Sequence, residues 1–304
     1  MTHNGTPMIE TLRIALVGYG EVGGIFGAAL AQAGVEEVRA FDILAADAVW
    51  LARARSRDER VAVTSTSEQA VADADLVISA VTAAQTQAAA QEIARAVRKD
   101  AFVLDVNSAS PRTKAGCARI VDDAGGRYVE AAVMTSVPPH GIRVPMLLGG
   151  AHAAALQPML AALGFDASVG SEKLGVVSAV KLCRSVVIKG MEALFIESML
   201  AARHYGVEDE VLASLVETFP NLDWERQANW FWKRVVQHGK RRAEEMREAA
   251  VTVTDTGVAP RMASAAADVQ AWIAELRQSG AFEDLAGDAG FRALVDRVPR
   301  KHGT

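Results

Sequence analysis

The stretch that decides the fold is LRIALVGYGEVGGIFGAALAQAG, residues 12–34. It begins as an apolar segment, runs into Gly18, Gly20 and Gly23, and continues as an Ala-rich helical stretch that ends at Gly34. The first glycine permits a tight turn, the second lets backbone amides approach a pyrophosphate, and the third lets the helix pack closely on the strand. The amino terminus of such a helix attracts anions. The stretch therefore predicts a strand, a phosphate-binding turn and a helix.

A second apolar segment ends in Asp42, 19 residues after Gly23. A carboxylate at this place accepts hydrogen bonds from the hydroxyls of an adenosine ribose. Because it would repel a 2′-phosphate and no arginine follows it at once, the sequence favours NAD over NADP. Arg57, in a run with Arg53 and Arg55, could fold back toward a phosphate, but a solvated helix face is the more ordinary interpretation. The cofactor-binding residues predicted here are Gly18, Tyr19, Gly20, Glu21, Val22, Gly23 and Asp42.

Short Val/Ile/Leu-rich segments alternate with helical stretches as far as about residue 165, which is typical of a parallel sheet wrapped by helices. The predicted strands are residues 13–17, 37–41, 61–63, 76–81, 102–105, 128–133, 145–148 and 165–169. Beyond residue 171 only helical periodicity is found. The fold class is therefore α/β, with a Rossmann-type doubly wound domain over residues 1–168 and an all-α domain over residues 169–304.

The first predicted helix of the second domain, residues 172–204, exceeds 30 residues and is apolar on most sides. It ends before Gly206, as a helix carboxyl terminus commonly does. A helix this apolar is expected to be buried nearly all round. Since about 130 residues can hardly cover both of its sides, the sequence predicts a homodimer in which a second subunit contributes.

Composition limits the remaining function classes. The chain of 304 residues is long enough for two domains. Its net charge of -5 does not favour a nucleic-acid partner, and the cluster Lys240–Arg242 is followed by Glu244, Glu245 and Glu248, which indicates a salt-bridged helix.

Features of secretion, membrane insertion and metal binding are absent from the sequence. The two cysteines, Cys117 and Cys183, have no paired spacing, so neither a disulfide framework nor a metal site is expected. The segment of residues 1–10 lacks an apolar signal core, and no apolar run reaches the roughly 18 to 20 residues of a membrane span. A cytoplasmic protein is the expectation.

Two loops follow the fourth and fifth predicted strands. In open parallel sheets, ligands bind beyond the carboxyl ends of the strands. Val81, Thr82 and Asn107 are therefore predicted to contact the cofactor near the nicotinamide, and Ser108 the substrate. Ser110, directly before a proline, is interpreted as the cap of the next helix.

These motifs resemble the β-hydroxyacid dehydrogenase family, which includes 3-hydroxyisobutyrate dehydrogenase and 6-phosphogluconate dehydrogenase. The glycine turn matches, the family's Asp-Ser-Ser-Thr loop matches Asp105 to Ser108 loosely, and the family's lysine helix matches Gly175-x5-Lys181. Runs resembling residues 181–185 and 241–246 are found in a bacterial subgroup whose members are largely uncharacterised.

The resemblance implies that Lys181 is the catalytic acid/base, which takes a hydroxyl proton while the substrate carbon passes hydride to the nicotinamide. Arg184 and Ser185 lie three and four residues on and share its helix face. Two cations side by side favour an anion between them, so a substrate carboxylate is expected here. Lys240 stands where the family has a lysine that reaches the cofactor, but the surrounding motif differs and a surface lysine is the alternative.

Two departures from the family imply a changed substrate. Residues 130–136, Glu-Ala-Ala-Val-Met-Thr-Ser, replace the family's Asp-x-Pro-Val-Ser-Gly-Gly loop, and Ser185 replaces an asparagine. Thr135 and Ser136 are predicted to contact the substrate. His140 and Arg143 either contact an anion or lie exposed on a turn. The aromatic residues between 219 and 232 either line a substrate pocket or, as we favour, form core or interface.

The predicted function is that of an NAD-dependent oxidoreductase for a hydroxy acid or its oxo partner, with the active site in the cleft between the domains. An imine reductase is similar in fold and cofactor site but usually has another residue in place of Lys181. A third alternative is a non-catalytic NAD-binding sensor.

Overall fold

A computed structural model describes residues 9–287 and 289–299, so most of the amino-terminal segment discussed above lies outside the described residues. The chain divides into two compact units, the first ending at Leu182 and the second beginning at Cys183.

The first unit is built on an eight-stranded sheet of order β3-β2-β1-β4-β5-β6-β7-β8. Its strands are β1 (Arg13–Val17), β2 (Glu37–Phe41), β3 (Val61–Val63), β4 (Leu76–Ser79), β5 (Phe102–Asp105), β6 (Arg127–Val133), β7 (Met146–Gly149) and β8 (Ala167–Ser171). All neighbours pair in parallel except β6 and β7, which are antiparallel. The predicted doubly wound α/β domain is confirmed, and its last two strands, β7 and β8, run opposite to the other six.

Helices connect most of these strands. They are α1 (Glu21–Ala33), α2 (Ala48–Arg55), α3 (Ser67–Val71), α4 (Thr86–Ala94), α5 (Pro111–Asp123) and α6 (Ala153–Ala162). Every residue of β4 and β5 is buried, as expected for central strands covered on both faces. The strand order switches direction between β1 and β4, because β2 and β3 lie on one side of β1 and β4 to β8 on the other. This switch places the crevice of the sheet at the carboxyl ends of β1 and β4.

The second unit is helical. It contains most of α7 (Val176–Tyr205), together with α8 (Glu208–Thr218), α9 (Trp224–Thr254), α10 (Arg261–Gln278) and α11 (Phe291–Asp296). Phe195 stacks on Trp224 at a centroid distance of 5.7 Å, and Phe231 and Trp232 are buried beside them. The aromatic stretch thus supplies core residues, as we favoured, although Trp230 and Phe219 are exposed.

Buried ion pairs join α7 to α9. Arg242 pairs with Glu192, and Lys189 pairs with Glu245. Arg241 lies 3.3 Å from Glu245 one turn along the same helix. The basic and acidic run of residues 240–248 therefore forms salt bridges, as predicted. Two of its side chains, Arg242 and Glu245, form ion pairs between α9 and α7.

One side of α7 is exposed in the single chain. Val180, Val187 and Leu194 recur at intervals of seven residues along it, with Met191 and Tyr205 between and beyond them. Within one copy the helix is therefore not buried all round.

Cys117 is buried and Cys183 is exposed, and no disulfide joins these two described residues. Among the described residues, no helix combines the length and the apolar character needed to cross a bilayer.

Candidate dinucleotide and active site

The turn after β1 has room only for glycine at two positions. Gly18 has a φ of +96°, and a Cβ added to it would lie 2.4 Å from the backbone oxygen of Ala80. A Cβ at Gly23 would lie 2.0 Å from the backbone oxygen of Gly18. The first glycine therefore allows the turn to pass close to the end of β4, and the third allows α1 to pack on the turn.

Gly20 has a different role. A Cβ added there would meet nothing within 4 Å, so the protein's own packing does not require a glycine. Gly20 is the N-cap of α1 and provides no side chain to bond the first amides of the helix. These amides have no partner within the helix itself. The bare helix terminus suits a pyrophosphate, because no side chain at Gly20 blocks its approach to the amides.

Asp42 follows β2 directly and lies against the glycine turn. Its Oδ2 accepts a hydrogen bond of 2.9 Å from the Tyr19 amide, and its Oδ1 accepts one of 3.1 Å from the Leu44 amide. Ile43 and Leu44, which come next, are exposed. The carboxylate is thus held beside the turn with an exposed apolar surface next to it, an arrangement that fits a ribose and an adenine ring.

The loops after β4 and β5 are tied together by Asn107. Its Oδ1 accepts a hydrogen bond of 2.7 Å from the Val81 amide, and its Nδ2 donates one of 2.9 Å to Ser79 Oγ. Asn107 is buried, Ser108 is half-buried and Thr82 is exposed. The side chain of Asn107 thus orients both loops, which lie at the same edge of the sheet as the glycine turn.

A buried polar cluster supports the second of these loops. Lys114 Nζ lies 2.7 Å from Asp105 Oδ1, the Tyr128 hydroxyl donates a hydrogen bond of 2.6 Å to Asp105 Oδ2, and the Asn107 amide donates one of 2.9 Å to Oδ1. Burial, and then the neighbouring Asp105 charge, raise the pKa of Tyr128 well above its usual value of 10.0. The cluster therefore stabilises the loop that follows β5, from its buried side.

Sequence reasoning missed Lys114. A signal was present, because Lys114 shares the buried face of α5 with Cys117, Ala118 and Val121, at helical spacing. A cation on that face requires a buried carboxylate nearby. The assignment of Ser110 as a helix cap is confirmed, since its Oγ accepts a hydrogen bond of 3.2 Å from the Thr113 amide.

The lysine helix α7 is anchored at its start by Glu130. This fully buried carboxylate accepts hydrogen bonds from the Gly175 amide at 2.5 Å and from the Ser178 hydroxyl. Gly175 packs against Pro111, the first residue of α5. Lys181 follows Ser178 by three residues and is half-buried. Glu130, which the sequence places in an altered substrate loop, therefore positions the helix that carries Lys181.

The other predicted substrate residues lie on two elements. Thr135 and Ser136 are exposed in the loop after β6, where His140 and Arg143 are exposed as well. On α7, Arg184 is exposed and Ser185 is buried.

Lys240, which belongs to the second unit, is exposed on α9. In the part of the chain that the structure describes, no cluster of three metal-ligating side chains is present.

Comparison with known proteins agrees with this geometry. Residues 13–169 match the NAD-binding domain of 6-phosphogluconate dehydrogenase, and residues 202–273 match a domain of unknown function, DUF1932.

Solved structures resemble the whole chain. A conserved hypothetical protein from Sinorhizobium meliloti is 34% identical, with a TM-score of 0.72 over 96% of this chain and 97% of the other. The conserved protein MTH1747, described as structurally similar to 3-hydroxyacid dehydrogenases, is 30% identical, with a TM-score of 0.66 over 88% of this chain and 99% of the other. The 3-hydroxyisobutyrate dehydrogenase of Mycobacterium tuberculosis shares the fold at 19% identity, with a TM-score of 0.68 over 95% of this chain and 100% of the other. The chain therefore belongs to the β-hydroxyacid dehydrogenase-like family, whose members carry the NAD-binding domain of 6-phosphogluconate dehydrogenase.

Proposed function

We propose that the protein is an NAD-dependent oxidoreductase that interconverts a small hydroxy acid and its oxo partner. The observation that carries the proposal is the open amino terminus of α1 at Gly20, with Asp42 held beside it by the Tyr19 amide. Amides at a helix terminus bind phosphates, and a carboxylate at the end of the second strand binds the ribose hydroxyls.

The residues around Asp42 support NAD rather than NADP. The Asp42 carboxylate would repel a 2′-phosphate, and the two residues that follow it, Ile43 and Leu44, are exposed and apolar. On the nicotinamide side, Val81, Thr82 and Asn107 are the candidate contacts.

The proposed chemistry divides between the cofactor and Lys181. The bound dinucleotide supplies the hydride acceptor at the nicotinamide ring. Lys181 Nζ, in its neutral form, takes the proton from the substrate hydroxyl as the C–H bond is broken and the carbonyl forms. In the reverse direction, the ammonium returns that proton to the oxygen.

The proposed substrate is a small carboxylate. Arg184 and Ser185 stand one turn beyond Lys181 on α7, where a cation and a hydroxyl can bind a carboxylate group. Ser108, Thr135 and Ser136 are the other candidate contacts, and Lys240 is a candidate contact to the cofactor. Glu130 supports the proposal because it fixes the first turn of α7 through Gly175 and Ser178, and Lys181 lies in the next turn of this helix.

A turnover screen tests this function. Small and aromatic hydroxy acids are assayed with NAD, and their oxo partners and cyclic imines with NADH, using the wild type, Lys181→Ala and the exposed control Lys173→Ala. We expect hydroxy-acid turnover to fall about 100-fold or more in Lys181→Ala, with NADH binding retained, and to be unchanged in the control. Full activity of Lys181→Ala would refute its role as acid/base. NADH binding without turnover of any compound would favour a non-catalytic NAD-binding sensor. Turnover of imines alone would favour an imine reductase.

We also propose that the protein is a homodimer whose subunits meet along α7. Val180, Val187 and Leu194 form a row of seven-residue spacing, which is typical of a seam between two helices. A symmetric dimer brings the same patch of two copies together, so this row can cover itself.

A further inference from the structure

Arg57 is exposed to solvent, as the sequence favoured, but its guanidinium also contacts the glycine turn. Its Nη1 donates hydrogen bonds to the backbone oxygens of Tyr19, at 2.6 Å, and Gly20, at 3.2 Å. Its guanidinium carbon lies 5.5 Å from the centre of the Tyr19 ring. Arg57 belongs to the segment between α2 and β3, and its side chain extends to the start of α1.

The same side chain lies beside the first turn of α1. A Cβ added to Gly24 would lie 3.3 Å from Arg57 Nη1, so the guanidinium and this turn are in close proximity. The amino terminus of a helix carries a partial positive charge. Arg57 and the helix terminus therefore both attract an anion to the same place, in addition to the Glu21 carboxylate in the first turn of α1.

No carboxylate of the described residues forms an ion pair with Arg57. Its sequence neighbour Asp58 is bound by Arg60, at 2.7 Å. Among residues 9–287 and 289–299, neither Nε nor Nη2 of Arg57 makes a hydrogen bond, so two directions of its planar fork remain open to a ligand. Arginine presents such a fork to phosphate oxygens.

We infer that Arg57 is a ligand for a phosphate group of the bound dinucleotide, and this inference rests on the proposed cofactor. Asp42 and Arg57 bind the same residue, Tyr19, the first through its amide and the second through its carbonyl oxygen. The phosphate group next to them is the pyrophosphate, because Arg57 lies at the start of α1 and NAD has no 2′-phosphate. A pyrophosphate oxygen would be held by the guanidinium together with the helix amides.

The test separates charge from loop support. Arg57→Gln keeps a neutral donor for the Tyr19 and Gly20 oxygens, whereas Arg57→Lys keeps the charge. Arg55→Gln is the matched control, because Arg55 is exposed at the end of α2. Dissociation constants for NADH and NADPH are measured by nucleotide fluorescence, and thermal denaturation reports whether each variant is folded.

We expect Arg57→Gln to weaken binding about tenfold, Arg57→Lys to weaken it less, and Arg55→Gln to bind as the wild type does. Equal weakening for NADH and NADPH is expected for a contact to the pyrophosphate, which both nucleotides share. Weakening for NADPH alone would overturn the inference, because it would place Arg57 at the 2′-phosphate. Unchanged binding of both nucleotides to Arg57→Gln would overturn the inference while leaving the cofactor proposal intact. A wild type that binds neither nucleotide would overturn both.

Discussion

Lys114 and Asp105 form a fully buried ion pair beneath the loop that follows β5, with Lys114 Nζ 2.7 Å from Asp105 Oδ1. The same Nζ donates a hydrogen bond of 3.0 Å to the backbone oxygen of Asp105. Removing one partner of such a pair leaves a buried charge uncompensated. The pair therefore links the stability of the first unit to the shape of the loop that carries Asn107.

Lys114→Met is expected to lower the free energy of unfolding by about 3–5 kcal/mol, because the Asp105 carboxylate would lose its cation. Urea denaturation measures the change, with the exposed Lys99→Met as control. Adding Asp105→Asn to Lys114→Met should restore part of the lost free energy of unfolding, because the unpaired Asp105 charge is then removed. A Lys114→Met variant as stable as the wild type would contradict the account.

The Tyr128 hydroxyl gives a pH-dependent prediction. Its pKa in the folded protein is raised well above 10.0 by burial and by the Asp105 charge. Above pH 10 the unfolded chain therefore releases this proton while the folded chain retains it, so Tyr128 makes stability fall as pH rises, by up to about 1.4 kcal/mol per pH unit.

At neutral pH, Tyr128→Phe should be less stable than the wild type by about 1 kcal/mol, because one hydrogen bond is lost. This difference should shrink as pH rises above about 10, since phenylalanine does not ionise. Denaturation of both proteins between about pH 8 and 11, a range that spans the ordinary tyrosine pKa, measures it. A difference that stays constant across the range would contradict the assignment.

The anchor of α7 predicts coupling between Glu130 and Ser178. Glu130→Gln should destabilise the protein by about 1–3 kcal/mol, because its amide NH2 would face a donor in place of one carboxylate oxygen. Ser178→Ala should have a smaller effect, and the double variant should be less destabilised than the sum of the two. Additive effects in urea denaturation would show that the two side chains do not act together.

The seam on α7 predicts the assembly state. Val187→Asp combined with Leu194→Asp should convert the dimer to a monomer in light scattering, because charges on the seam would be buried without partners. Val216→Asp, an exposed apolar position on α8, is the control. A wild type that is monomeric, or a double variant that remains dimeric, would refute the seam.

Much of the sheet could be predicted because its strands are short Val/Ile/Leu runs that are buried on both faces. The bounds of β1, β2, β3 and β5 are those predicted from the sequence. Periodicity does not give strand direction, so the antiparallel pairing of β7 emerged only from the structure. Short local patterns also revealed the Ser110 cap and the glycine turn, since both depend on residues close in sequence.

Side chains that act through distant partners could not be assigned in this way. Glu130 and Ser178 are 48 residues apart, and Arg57 and Tyr19 are 38 apart. Their pairing depends on the order of the strands, which brings distant segments to one edge of the sheet.

The most direct test of the central claim uses Gly20, where an added side chain meets nothing in the protein itself. Gly20→Val is titrated with NADH beside the wild type and beside Gly116→Ala, a glycine on α5 with equally open surroundings. We expect Gly20→Val to remain folded, with only the small loss of thermal stability that a poorer N-cap residue causes. We expect it to lose NADH binding by about 100-fold, because the side chain fills the space through which the pyrophosphate approaches α1. Wild-type affinity for NADH in Gly20→Val would contradict the assignment of this turn as the dinucleotide site.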